Sequence, residues 1–92
     1  MNWTVIWLDA TINQIAAFTI QVWGTDASAA ITQAMVRIEL FLKRDPGNAG
    51  ESRASHRRIL FESPLIVGFE VHDEERTVIV TRVQYHPPRD NQ

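Results

Sequence analysis

A break at Asp45-Pro46-Gly47 divides this chain into two parts with different hydrophobic periods. Proline lacks the backbone N–H of a helical residue and disfavours helical geometry in the residue before it, so a helix that reaches residue 44 must end there. Before the break, apolar residues recur at the three- and four-residue spacing of helices. After it, they alternate at the two-residue spacing of strands. The sequence therefore predicts an α+β fold.

The first part begins with an aromatic and β-branched run over residues 3–8, which predicts a strand. We expect Trp3 and Trp7 to share one face of it and to anchor the core. Asp9 and Asp26 can cap the two helices that follow, predicted over 10–22 and 27–44. The predicted buried stripes consist of Ile12, Ile15, Ala16, Thr19 and Val22 or Trp23 in the first helix, and of Ala30, Ile31, Ala34, Met35, Ile38 and Leu42 in the second.

The second part contains a predicted loop over 45–56 and three predicted strands over 57–61, 65–71 and 77–85. These strands form an antiparallel meander. In the middle strand Leu65, Val67, Phe69 and Val71 share one face. We therefore expect one side of the sheet to pack against the core and the other to be partly exposed to solvent. We expect the helices to cover the apolar side, and the first strand to pair at the sheet edge or beside the last strand, in βααβββ order.

Length and composition point to a single domain over 1–92, with a frayed tail at 87–92. The chain is 45% hydrophobic and 22% charged, as globular domains are, and it has no cysteine. Disulfides and thiolate metal sites are thereby excluded, and a cytoplasmic location is expected. The N-terminus lacks a basic leader pattern, and no apolar run approaches the ~20 residues that a membrane helix needs. His56 and His72 have no second ligand at a metal-like spacing, so no metal or other cofactor is expected.

The charge is unevenly distributed. The formal net charge is −2, yet residues 43–58 hold five basic and two acidic side chains, a local excess of +3. This segment is either a phosphate-facing patch or a solvated loop.

Several runs together resemble the RelE/ParE toxins: the Trp-x-Val-x-Trp opening, the helical hairpin, Gly50-Glu51 in a loop, 57–61, 65–71 and 77–80. The ending Tyr85-His86 is similar to the YoeB branch. The resemblance covers about residues 3–86 and implies a toxin of a type II toxin–antitoxin system, neutralised by a cognate antitoxin. Family members act by cleaving mRNA at the ribosome or by poisoning DNA gyrase.

Within that resemblance, RNA cleavage without a metal needs a base, an acid and a cation for the phosphate. Glu51 or His86 can supply base or acid, and His86 matches the terminal histidine of the YoeB-like pattern. The candidate phosphate and RNA contacts are Arg57, Arg58, Arg82 and Tyr85, with Tyr85 stacking on a base.

Strand alternation constrains these arginines. Arg57 and Arg58 point to opposite faces of one strand, so at most one of them faces a shared site. Arg82 falls in line with Val78 and Val80, and is predicted either to enter a functional groove or to lie over an exposed face.

Three functions remain open at this point. RNA-cleaving relatives carry an arginine at the start of the middle strand, where this chain has Pro64-Leu65-Ile66-Val67. The candidates are therefore a ribosome-dependent mRNA endonuclease, a gyrase inhibitor that acts by binding, and a catalytically inactive protein-binding module.

Overall fold

The computed structural model describes residues 2–52 and 56–87, with only the backbone of Ser52. Its elements are β1 (Thr4–Trp7), α1 (Asp9–Gln21), α2 (Asp26–Arg44), a 3₁₀ turn (Pro46–Asn48), β2 (Glu51–Ser52), β3 (Arg57–Glu62), β4 (Leu65–His72) and β5 (Thr77–Tyr85). The predicted α+β fold and its βααβββ order are confirmed, with β2 as a two-residue addition. Of the tail predicted at 87–92, only Pro87 lies within the described residues.

The strands form one mixed sheet in the order β1-β5-β4-β3-β2. The predicted meander of β3, β4 and β5 is antiparallel, and β1 lies at one edge, parallel to β5. β2 extends the other edge by pairing with β3 inside the segment predicted to be a loop. Gly50 has a φ of 66° and lies so close to β3 that a Cβ atom there would overlap the carbonyl of Ile59. Glycine is therefore required where this edge strand joins the sheet.

The core lies between the helices and one face of the sheet. The four residues predicted to share a face of β4 are all buried there, together with one stripe of α2 at helical spacing. The buried residues of that stripe are Ile31, Ala34, Ile38 and Leu42. Because each is an aliphatic side chain that packs against strand residues, burial of apolar surface holds the two layers together.

The predicted stripe of α1 needs correction. Thr11 and Ile15 are buried and Phe18 packs against the core, whereas Ile12 and Trp23 are 49% and 76% exposed. The Thr11 hydroxyl donates to the carbonyl of Leu8 at 2.6 Å, so this polar side chain is buried with its hydrogen bond satisfied. Of the predicted positions, Ile15 is buried and Val22 packs against the core, so the contact stripe is 11, 15, 18 and 22. Thr11 and Phe18 are in contact where Ile12 and Ala16 had been predicted.

Both early tryptophans pack against the core, as predicted. The Trp7 Nε1 donates to Oε1 of Glu39 at 2.9 Å, which ties β1 to α2. Over Trp3, the Arg76 guanidinium carbon lies 4.8 Å from the ring centroid. Within the described residues, no helix is long and apolar enough to cross a membrane.

A β-bulge interrupts β5. Phe69 pairs with Val80, but its neighbour Gly68 pairs with Arg82, so Thr81 is an extra residue on β5. The insertion changes which side chains face the helices: Val78 and Val80 are buried before it, and Val83 after it. Arg82 therefore does not continue the line of Val78 and Val80 and lies on the opposite, exposed face. We call this face, away from the helices, the open face.

Candidate nucleic-acid interface

An open groove of about 590 Å³ crosses the open face. We call it the arginine groove. Its lining residues are Arg57, Arg58, Ile59, Gly68, Phe69, Glu70, Thr81 and Arg82. Strands β3, β4 and β5 supply all of them, so a continuous hydrogen-bonded sheet supports the groove.

Two cross-strand rows place the charged side chains of the groove. Arg57 on β3 pairs with Glu70 on β4, and in the next row Gly68 on β4 pairs with Arg82 on β5. The two arginines therefore flank the central strand from opposite sides. Gly68 has no side chain to fill the space between them, and a Cβ atom there would lie 3.5 Å from the Cβ of Arg82. The floor of the groove is consequently low beside Arg82.

The electrostatics of the groove favour an anion. Among residues 2–52 and 56–87, neither Arg57 nor Arg82 forms an ion pair or a side-chain hydrogen bond. Glu70 is the acidic residue of the lining, and its Oε1 lies 3.1 Å from Nε2 of His72. Guanidinium groups bind phosphates through paired N–H donors, so two exposed arginines on a shared face suit a phosphodiester.

Arg58 faces the other way and has a structural contact. Its Nε donates to the carbonyl of Ala49 at 2.7 Å, and its Nη2 to that of Gly50 at 3.1 Å. These bonds hold the 3₁₀ turn and β2 against β3. Arg58 is thus one of the residues that line the groove, but its charged head is bonded to backbone carbonyls and, by strand alternation, is directed away from Arg57.

Tyr85 is also directed away from the groove. Its ring stacks on that of Phe18 in α1, with centroids 5.7 Å apart and planes inclined by 27°. It pairs with buried Leu65 on β4, which puts it on the face covered by the helices. The base-stacking role expected of Tyr85 thus has no geometric basis in this arrangement.

The two expected acid–base residues lie at the margins of the open face. His86 lies four residues beyond Arg82, or ~13 Å along an extended strand. Its backbone N–H donates to the carbonyl of Pro64 at 2.7 Å. Glu51 is in the same cross-strand row as Arg82, since it pairs with Ile59 of β3. It lies on the edge strand β2, however, three strand spacings or ~14 Å from Arg82. The structure brings Arg57 and Arg82 together and leaves His86 and Glu51 apart from them.

Gly68 and Glu70 were not among the site residues expected from the sequence. The alternation of β4 does place both opposite its buried face, which was the available signal. Glu70 is also linked to His72, whose ring centroid lies 5.3 Å from that of His56. The described residues contain no group of three or more histidine or acidic side chains that could hold a metal ion.

The fold has counterparts among solved structures. A chain of the RelBE2 toxin–antitoxin complex from Mycobacterium tuberculosis matches 94% of this chain and 100% of its own length, with a TM-score of 0.71 and 18% identity. The isolated E. coli RelE toxin matches 96% of this chain and 88% of its own length, with a TM-score of 0.58 and 13% identity. This chain has the RelE toxin fold.

The architecture shared with these structures is two helices packed on a mixed sheet. The YoeB-like ending inferred from Tyr85-His86 is not confirmed by these structures. No protein-family model matches the sequence, and no curated protein matches it. At 13–18% identity the match establishes the fold, while the chemistry has to be argued from the residues of the groove.

Proposed function

We propose that this protein is the toxin of a type II toxin–antitoxin pair and that it arrests growth by acting on mRNA. The observation that carries the proposal is the arginine groove on a RelE fold, where Arg57 and Arg82 face solvent without a partner among the described residues. The fold's likeness to a chain of a toxin–antitoxin complex supports a cognate antitoxin as the protein partner.

The proposed chemistry is transfer of a phosphodiester to the neighbouring 2′-hydroxyl. Arg57 and Arg82 hold the phosphate and balance the charge that develops on it, and the Glu70 carboxylate accepts the 2′-hydroxyl proton. The 2′-oxygen attacks phosphorus, which gives a 2′,3′-cyclic phosphate and releases the 5′-oxygen. That oxygen takes a proton from water, which the open groove admits. The ribosome then has the role of orienting the mRNA for attack.

A second candidate is inhibition of DNA gyrase by binding. The observation that favours it is the separation of His86 and Glu51 from the arginine groove, together with Pro64-Leu65 at the start of β4, where the RNA-cleaving relatives carry an arginine. A gyrase inhibitor needs no acid–base pair. A catalytically inactive antitoxin-binding module is the third reading and predicts no growth defect.

The test is induced expression of the full chain in a bacterial host, with growth, mRNA 5′ ends and DNA breaks followed together. We expect growth arrest with new 5′ ends inside translated codons. Arg57→Gln and Arg82→Gln should each relieve the arrest, whereas Arg44→Gln, which removes an equal charge at the end of α2, should not. Arrest with DNA breaks and intact mRNA supports gyrase instead. Normal growth with folded protein contradicts the toxin assignment.

A further inference from the structure

A second depression lies on the open face beside the arginine groove. It has a volume of about 280 Å³, and its lining includes Phe61, Pro64, Ile66 and His86. Phe61, the penultimate residue of β3, pairs with Ile66 of β4 and is 61% exposed. With Pro64 and Ile66 it forms a contiguous apolar lining, and contiguous apolar patches that face solvent mark binding surfaces.

The register of the sheet puts this depression next to Arg82. Phe61 pairs with Ile66, and Ile66 pairs with Gln84, in the row that follows the one holding Gly68 and Arg82. Successive rows on one face are two residues apart, or ~7 Å along the strands. Phe61 also lies two strands from Arg82, ~10 Å across the sheet, so their backbone positions are ~12 Å apart. The Arg82 side chain and one nucleotide together can span that separation.

The chemistry of the depression suits an unpaired base. An aromatic ring beside an aliphatic side chain offers a flat apolar platform, and bases stack on such platforms whatever their identity. Gln84 and His86 are exposed at its margin and carry the donors and acceptors that can meet the edge of a base. Tyr85 does not take this role because it lies on the opposite face of the sheet, where its ring stacks on Phe18.

We infer that Phe61 and Ile66 form a stacking site for one unpaired base of a single-stranded RNA whose adjacent phosphate is bound by Arg82. The inference rests on the proposed action on mRNA and names the second contact made with it. Charge decides between RNA and an apolar protein segment as the occupant. The depression lies one row of the sheet from the arginine groove, where Arg57 and Arg82 have no partner among the described residues and favour a polyanion.

The test compares two ligands on the full chain by fluorescence anisotropy: a short oligoadenylate, and an abasic ribose-phosphate oligomer of equal length. Phe61→Ala should weaken oligoadenylate binding about 5- to 140-fold and leave the abasic oligomer unaffected. Arg82→Gln should weaken both. Trp23→Ala is the matched control, since Trp23 is an exposed aromatic residue in the turn after α1 and its removal should change neither.

Phe61→Leu keeps an apolar side chain in β3 and should give the same ligand-dependent loss, which guards against a folding defect in the alanine variant. Equal weakening of both oligomers, equal binding of both by the unmodified chain, or unchanged oligoadenylate binding in Phe61→Ala overturns the inference. Base-dependent binding without growth arrest contradicts only the proposed function. Growth arrest without base-dependent binding contradicts only the stacking site.

Discussion

Arg82 lies directly across the β4–β5 ladder from Gly68, and this pairing gives the open face its groove. The bulge at Thr81 makes it possible, because uninterrupted alternation from Val80 would turn Arg82 toward the helices. An arginine and a glycine as cross-strand neighbours leave a cation above exposed backbone, where a ligand can approach closely.

Filling the space over Gly68 should block the groove without changing its charge. In Gly68→Val the new Cβ meets Arg82 at an ordinary contact distance, so the strand should tolerate it while the γ-methyl groups occupy the groove. We expect RNA binding to weaken about tenfold, or ~1.4 kcal/mol. Gly47→Val, at a site with nothing within 4 Å, is the control. Unchanged binding in Gly68→Val would place the RNA elsewhere.

The salt dependence of RNA binding should report how many arginines contact phosphates. For single strands, the logarithm of the binding constant falls with the logarithm of salt concentration by ~0.7 per phosphate neutralised. Arg57→Gln and Arg82→Gln should therefore each reduce the slope by ~0.7, measured by titration over a range of salt concentrations. Arg44→Gln should leave it unchanged. A slope that falls equally for all three variants indicates attraction by net charge alone.

Arg58 should matter for stability and not for RNA. Arg58→Leu removes the donors to the carbonyls of Ala49 and Gly50, and we expect a loss of about 1–3 kcal/mol in the free energy of unfolding. Arg57→Leu, one residue earlier on the opposite face, should stay within ~0.5 kcal/mol. Urea denaturation of the two variants provides the comparison, and similar losses would contradict the separation of their roles.

Gly50 and Gly24 form a matched pair for backbone strain. Both have positive φ, at 66° and 83°, but only Gly50 approaches another strand. Gly24→Ala should cost about 1 kcal/mol from the left-handed conformation alone. Gly50→Ala should cost more, by ~2 kcal/mol, because the added Cβ displaces β2 from Ile59. Equal thermal or urea stability of the two variants would show that β2 adapts freely.

Tyr85 should act through packing. Tyr85→Phe keeps the stacked ring and should preserve both stability and RNA binding, whereas Tyr85→Ala should lose ~2 kcal/mol in the free energy of unfolding. Phe61→Ala, which removes an exposed ring, should stay within ~0.5 kcal/mol. Calorimetry measures all three. If Tyr85→Phe weakens RNA binding, the phenolic hydroxyl is part of the interface.

Much of the architecture follows from local rules that the sequence displays. The Asp45-Pro46 break ends α2 at Arg44, and the alternation over Leu65–His72 gives both the strand and its buried face. These features depend on near neighbours in the chain, so periodicity was sufficient to predict them. The contact stripe of α1 could not be predicted from periodicity alone. Ile12 and Ile15 are equally apolar, and it is the packing of α1 against β5 that buries Ile15 and leaves Ile12 exposed.

The site was harder to predict because it depends on one inserted residue. The apolar positions of β5 shift from Val78 and Val80 to Val83, and this change of parity was the sequence signal for the bulge. Without it, Arg82 is assigned to the wrong face and its closeness to Arg57 is hidden. The edge position of Glu51 likewise depends on β2, which exists only because it pairs with β3.

The parallel pairing of β1 with β5 joins two segments that are far apart in the chain. Thr4–Trp7 is synthesised before both helices and before its hydrogen-bonding partner, Thr77–Tyr85. The nascent chain must therefore hold β1 without that partner until β5 has been made. Since β5 also carries Arg82, the arginine groove cannot assemble before the strand that completes this pairing.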